Sequence, residues 1–239
     1  MKKIVVITLG LFVSNMTIAQ TLGKLKDKVN ETVGTNSSSS LSESEITSGL
    51  KEALNKGIEK GVTQLSKPDG YFKDPQIKIP LPEEAKTVES KLRQLGQGQK
   101  VDDAIESINR AAEDAAMAAK DIFIDAIKSM DVKDAMGLLK GNDDAATRFL
   151  ESSTRAQLIE KFKPIIKASL EKVGATKHWN TLFTSYNKLP MVTKVNPDLE
   201  EYATNKAIDG LFVQIAKEEF EIRKNPGARV TDLLKKVFG

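Results

Sequence analysis

From Ser42 onward the apolar positions recur every three or four residues, the spacing of a helix face. Ile46, Leu50, Leu54, Ile58, Val62 and Leu65 form one continuous stripe, and Ser42 with Glu45 makes a capping box before it. Gly49, Gly57 and Gly61 dot this helix. Glycine costs a helix roughly 1 kcal/mol against alanine, so three of them predict close helix contacts. Lys67-Pro68-Asp69-Gly70 is a turn signal that ends the element. Pro75, Pro80 and Pro82 then forbid a regular helix, and Ile77-Lys78-Ile79 alternates like a strand, so Tyr71–Pro82 is expected to be extended. Met191–Val195, bracketed by Pro190 and Pro197, could pair with it as a short two-stranded ribbon.

The remaining pattern is helical. The spacing predicts helices over Glu83–Leu95, Val101–Met130, Val132–Lys140, Asp143–Val173 with a stop or kink at Pro164, His178–Leu189, Leu199–Arg223 and Thr231–Phe238. Asn142 is the expected cap of the helix that begins at Asp143. Between Ile208 and Ala216 apolar residues point in nearly all directions, as in a buried helix, so Leu199–Arg223 is the expected central helix. The fold class is therefore all-α, a single irregular helical domain with a proline-rich extended excursion.

The N-terminus changes the picture of where the protein works. Lys2 and Lys3 precede the apolar run Ile4–Val13, and Thr17-Ile18-Ala19 supplies small side chains before Gln20, the layout of a signal peptide. The expected organisation is a signal peptide over 1–19, an amphipathic segment with a serine-rich linker over 20–40, and a helical domain over 41–239. Export to the periplasm or outside the cell follows as an expectation. In residues 20–40, Leu22, Leu25, Val29 and Val33 form a narrow stripe ahead of Asn36–Ser40. Such a helix on a flexible tether could dock on its own body, on a partner or on a membrane surface.

Charge and composition narrow the function classes. The formal charge of +3 falls to +1 without Lys2 and Lys3, and 5% of residues are aromatic. No strong field or base-stacking surface speaks for nucleic acid. No stretch of the mature chain is apolar enough to span a bilayer. The chain has no cysteine, and its one histidine, His178, lacks a helical ligand partner. No metal site and no cofactor is therefore expected, and His178 reads as a surface or partly packed residue.

Three clusters could carry chemistry. On the Val101–Met130 helix, with Ile105 at 0°, Asn109 falls at about 40°, Lys120 at about 60° and Glu113 at about 80°, on the flank of the apolar stripe. Buried polar groups need partners, so these either line a polar pocket or fix helix packing, and packing is favoured. Asp143, Asp144, Thr147 and Arg148 sit within two turns. They could form a paired-carboxylate site, though a helix start with an ordinary Asp144–Arg148 pair is favoured. Lys206 and Asp209 on the central helix read as a structural pair. The run Lys217-Glu218-Glu219…Glu221…Arg223-Lys224 reads as a solvated face.

Four ordered motifs bear a resemblance to a known family. They are Ile79-Pro80-Leu81-Pro82, then Asn109-Arg110-Ala111-Ala112-Glu113, then Gly141 through Phe149, and Lys206 through Phe212 with the tail Leu233–Gly239. Over Leu41–Gly239 the chain resembles the exported bacterial family catalogued as domain of unknown function 4197. The resemblance implies an exported helical bacterial protein and supplies no activity, substrate or catalytic residue. The expected function is a non-enzymatic envelope protein that binds a partner protein or an apolar ligand between its helices. The competing expectation is a hydrolase or lyase using Asp143, Asp144 and Arg148, joined by Asn109 and Glu113 from the neighbouring helix; the candidate binding residues are Asn109, Arg110, Glu113, Lys120, Asp143, Asp144 and Arg148.

Overall fold

The helix that the capping box announces runs from Glu43 to Leu65 (α1), with Ser42 accepting from the Glu45 amide and Glu45 returning to the Ser42 amide. The computed structural model describes residues 41–176, 179, 184, 187, 194 and 198–238. After a short 3-10 turn at Glu83–Ala85 come α2 (Lys86–Gln94), α3 (Gly98–Ala116), α4 (Ala119–Ser129), α5 (Val132–Leu139), α6 (Ala145–Lys172), α7 (Leu199–Lys224) and α8 (Asp232–Phe238). No strand occurs among the described residues. The fold is all-α.

The central helix is α7, which packs against α1, α3 and α6. Its Ala203, Ala207, Ile208, Leu211, Phe212 and Ile215 are all buried, each large apolar side chain contributing about 1.5–3 kcal/mol by leaving water. Phe123 of α4 meets Phe212 edge-on, with ring centroids 5.8 Å apart. The burial is not complete around the helix, because Val213 and Phe220 share an exposed stripe. Close packing at the first glycine of α1 is real: a side chain at Gly49 would meet Val237 and Leu233 of α8. Gly57 and Gly61 face α7 at ordinary van der Waals range.

Three local expectations need correction. The helix expected over Val101–Met130 is two helices, broken at Met117–Ala118. There the Ala118 amide donates to Ala115 O and the Lys120 amide to Met117 O, three-residue bonds that tighten the chain. Tyr71–Ile77 is a series of turns on Asp69, Tyr71 and Asp74 carbonyls, and only Lys78–Pro82 runs free of turns. Lys194 apart, Met191–Val195 lies outside the described residues, as do His178 and most of the helix expected over His178–Leu189. Pro164, expected to stop or kink the helix, lies inside α6, which continues to Lys172. It sits on the exposed face, and so does Glu160, whose carbonyl loses its helical partner there and can turn to water. Finally, α6 begins at Ala145, and Asn142 offers its backbone carbonyl rather than its side chain, accepting from the Ala145 amide.

Candidate functional site

The sequence cluster on α3 is a clamp for the chain that leaves α1. Asn109 is fully buried. Its Oδ1 accepts from the Ile79 amide at 2.8 Å, while its Nδ2 donates to Ile79 O at 2.8 Å and Ile105 O at 2.7 Å. The side-chain amide thus serves Ile79 as a neighbouring strand would. One turn on, Glu113 Oε1 accepts from the Tyr71 and Phe72 amides at 3.0 and 3.1 Å. Its other oxygen takes Arg110 Nη1 at 2.8 Å. Arg110 Nη2 also bridges Asp69 at 2.7 Å, and these two carboxylates push the guanidinium pKa further up. Asp69 is held below its usual range by Lys73 and by Arg110.

Tyr71 closes the clamp on the central helix. Its hydroxyl donates to Ala207 O at 2.8 Å, and burial, with the Glu113 charge adding to it, pushes its phenol pKa far up. The ring lies against Gly210, where an added Cβ would come within 2.7 Å of it. Gly70, just before Tyr71, is required by a similar approach, since a Cβ there would meet the Leu65 and Gln64 carbonyls at 2.5 and 2.6 Å. Asn109, Arg110 and Glu113 are therefore engaged in packing. Lys120 is not part of their flank: it stands on the separate helix α4 and pairs with Glu59 of α1 at 3.0 Å.

The Asp143, Asp144 and Arg148 cluster lies at the start of α6 and is largely solvent-facing. Asp144 pairs with Arg148 at 2.7 Å, the Arg148 side chain being 70% exposed. Asp143 pairs with Lys224 at 2.9 Å. Neither carboxylate caps the helix; that task falls to a residue the sequence reading placed on a solvated face. Glu219 of α7 is buried and accepts from the Ala146 amide at 3.0 Å, the Thr147 amide at 2.8 Å and the Thr147 hydroxyl at 2.7 Å. Arg223 closes on Glu219 at 2.8 Å and donates onward to Leu138 O and Leu139 O at the end of α5. Glu218, also buried, takes Lys60 at 2.7 Å and Gln214 at 3.0 Å. A helical run of alternating charge hid this pair because burial depends on which neighbours converge on α7.

The two sequence clusters do not meet. Their anchor points on α7, Gly210 beside Tyr71 and Glu219 beside Thr147, are nine residues apart, about 13 Å of helix rise. Replacing Asp143 and Asp144 together by asparagine should lower stability by less than about 1 kcal/mol, since exposed pairs contribute little. Calorimetry checks this, and a loss of several kcal/mol would mean the carboxylates hold the helix start. Asp209 pairs with Arg155 of α6 at 2.7 Å and lies 4.0 Å from Lys206, a surface ion-pair set.

A feature the sequence reading did not single out is an apolar cleft between α2, α3, the end of α6 and the start of α7, about 520 Å³ in volume. Val88 and Leu92 reach in from α2, Val101, Ala104 and Ile108 from α3, with Leu81, Trp179 and Leu199 around them. Its signal was present in outline: α2 carries an apolar pair at i,i+4 on a helix otherwise polar, and Trp179 is the chain's one tryptophan. Size and lining are those of a small-molecule site.

Taken together, these features define an all-α protein wrapped on one central helix, with clamped polar junctions and an apolar cleft between α2 and α3. The chain belongs to the family described as Protein of unknown function (DUF4197), whose model matches residues 40–239. No curated protein and no solved structure matches it. Among the described residues, no helix is long and apolar enough to cross a membrane. The motifs that carry the family resemblance fall at packing junctions: Ile79 on Asn109, Glu113 on Tyr71, Gly210 under the Tyr71 ring, Thr147 on Glu219, and Leu233 and Val237 on Gly49.

Proposed function

We propose that this chain is an exported, non-enzymatic binding protein that holds an apolar ligand between its helices, in the cleft between α2 and α3. The observation that carries the reading is the cleft itself, about 520 Å³ and walled mainly by aliphatic side chains and Trp179. The engagement of the other candidates supports it. Asn109, Arg110 and Glu113 are occupied by backbone and ion-pair partners, and the Asp143–Asp144–Arg148 group stands apart from them with its charges paired on the surface. A hydrolase or lyase built on those residues would need them in one cleft. Export rests on the charged, apolar and small-residue order of the first nineteen residues.

The test is native mass spectrometry of the chain recovered from its own cells, followed by titration with a neutral apolar fluorophore. The mass should place the first residue at Gln20. The fluorophore should bind saturably one to one, and Ala104→Trp, which fills the cleft, should weaken it at least about tenfold, ~1.4 kcal/mol. Circular dichroism verifies that the variant is folded, and Val88→Asp at the α2 wall serves as a second variant. Wild-type protein that takes up no probe, or folded variants that bind it unchanged, would remove the cleft as the site. A mass that includes Lys2 and Lys3 would remove the export reading.

A further inference from the structure

The wall of the cleft is divided into two stripes by α3. Val101, Ala104 and Ile108 form the inner stripe, with Val101 and Ile108 buried. Lys100, Asp103 and Ser107, each one residue earlier, form an outer polar stripe at the mouth. Glu89 completes the polar lining, and its carboxylate is already held by Arg93 at 2.9 Å. Lys100 and Asp103 differ from it. The Lys100 ammonium donates to Gln97 Oε1 at 3.1 Å, and Asp103 accepts from Gln99 Nε2 at 2.7 Å. Each is thus partnered by a neutral amide. Among the described residues neither has an ion-pair partner, although they are opposite in charge and three positions apart on one face.

A cation and an anion three positions apart on one helix face, neither with a charged partner among the described residues, complement a zwitterion, and the apolar lining behind them complements a hydrocarbon chain. The volume limits that chain. A methylene fills roughly the space of a water molecule in the liquid, about 30 Å³, so a cleft of about 520 Å³ matches one chain of up to about seventeen carbons. Resting on the reading of the cleft as an apolar ligand site, we infer that its ligand is a single-chain amphiphile with a zwitterionic head, of the lysophospholipid class. The acyl chain lies against Val88, Leu92 and Ala104, the partly buried apolar positions of the lining, the phosphate faces Lys100 and the ammonium faces Asp103.

The experiment is displacement of the neutral fluorophore by lysophosphatidylcholine, by a monoacylglycerol and by a fatty acid of the same chain length, all below their micelle thresholds. Lysophosphatidylcholine should displace at concentrations about tenfold lower than the monoacylglycerol. Lys100→Gln and Asp103→Asn, both at exposed positions, should each narrow that ratio severalfold. If the monoacylglycerol or the fatty acid competes as well as the zwitterion, the head-group assignment is overturned while the apolar site stands. If the fluorophore binds nowhere in the cleft, both fall together.

Discussion

Glu219→Ala should lower the stability of the fold by about 3–5 kcal/mol, the cost of breaking one side of a buried ion pair. The carboxylate has three tasks at once. It satisfies the Ala146 and Thr147 amides at the start of α6, places negative charge at the positive end of that helix, and neutralises Arg223, whose side chain is only 9% exposed. Arg223 in turn gives its remaining donors to Leu138 O and Leu139 O, the negative end of α5. The pair therefore matches two helix termini of opposite polarity across one contact. Alanine at 219 leaves a guanidinium nearly out of water without its counter-charge and two amides without an acceptor. In a domain of this size each kcal/mol moves the melting temperature by about 2–4 °C, so thermal unfolding should shift by about 10 °C. Glu219→Leu combined with Arg223→Met should recover part of the loss, because apolar replacement of a whole buried pair avoids the unpaired charge. A single-variant loss under about 1 kcal/mol would show that the pair behaves as a surface pair and that α6 is capped in another way.

That pair also shows which parts of the fold are legible in a sequence. Signals that act within one turn are legible: the Ser42–Glu45 capping box, the Lys67–Gly70 stop, and the dense apolar positions that make α7 central. Signals that depend on distant partners are not. Glu219 and Arg223 are spaced like any exposed i,i+4 pair, and only the convergence of α5 and α6 on α7 takes them out of water. The break between α3 and α4 has neither proline nor glycine at Met117–Ala118, so periodicity carried one helix through it. Periodicity alone therefore puts Lys120 on one flank with Asn109 and Glu113, whereas its partner is Glu59. Of the strand-like Ile77-Lys78-Ile79, only Ile79 has a ladder-like partner, the Asn109 side chain, while the Ile77 and Lys78 amides donate to Asp74 O in a turn.

The candidate site was legible to a smaller degree, for a related reason. A polar residue on an apolar stripe announces that it needs a partner and does not say whether that partner is a ligand or the protein's own backbone. Asn109 and Glu113 resolve to backbone. An apolar cleft announces almost nothing, because Val88, Leu92, Val101 and Ile108 look in sequence like any other core positions. What separates them is that the α2 pair is only partly buried while the α3 pair beneath is fully so, a difference made by the space between two helices.

Asn109→Ala tests the link between the clamp and the cleft. Ile79 is 1% exposed, and with Asn109 removed its amide and carbonyl lose the partners they have at 2.8 Å. Each buried polar group left unmatched costs about 1–3 kcal/mol, giving a loss of roughly 2–6 kcal/mol for the two. Asn109→Asp, of the same shape, should cost at least as much. It can still accept from the Ile79 amide, yet it has no donor for the Ile79 carbonyl and brings a charge into a buried site. Hydrogen exchange localises the effect: the Ile79 amide should lose its protection well before the amides of α7 do. The consequence for function follows from the chain order. Leu81, two residues past the clamped Ile79, and Ile108, beside Asn109, both line the cleft. A loosened Ile79 frees one wall against the other, so uptake of the apolar fluorophore should weaken in Asn109→Ala even at temperatures where the variant is fully folded. An Asn109→Ala protein that keeps Ile79 protected and stays within about 1 kcal/mol of wild type would mean that the excursion after α1 is held by its turns and by Tyr71 alone.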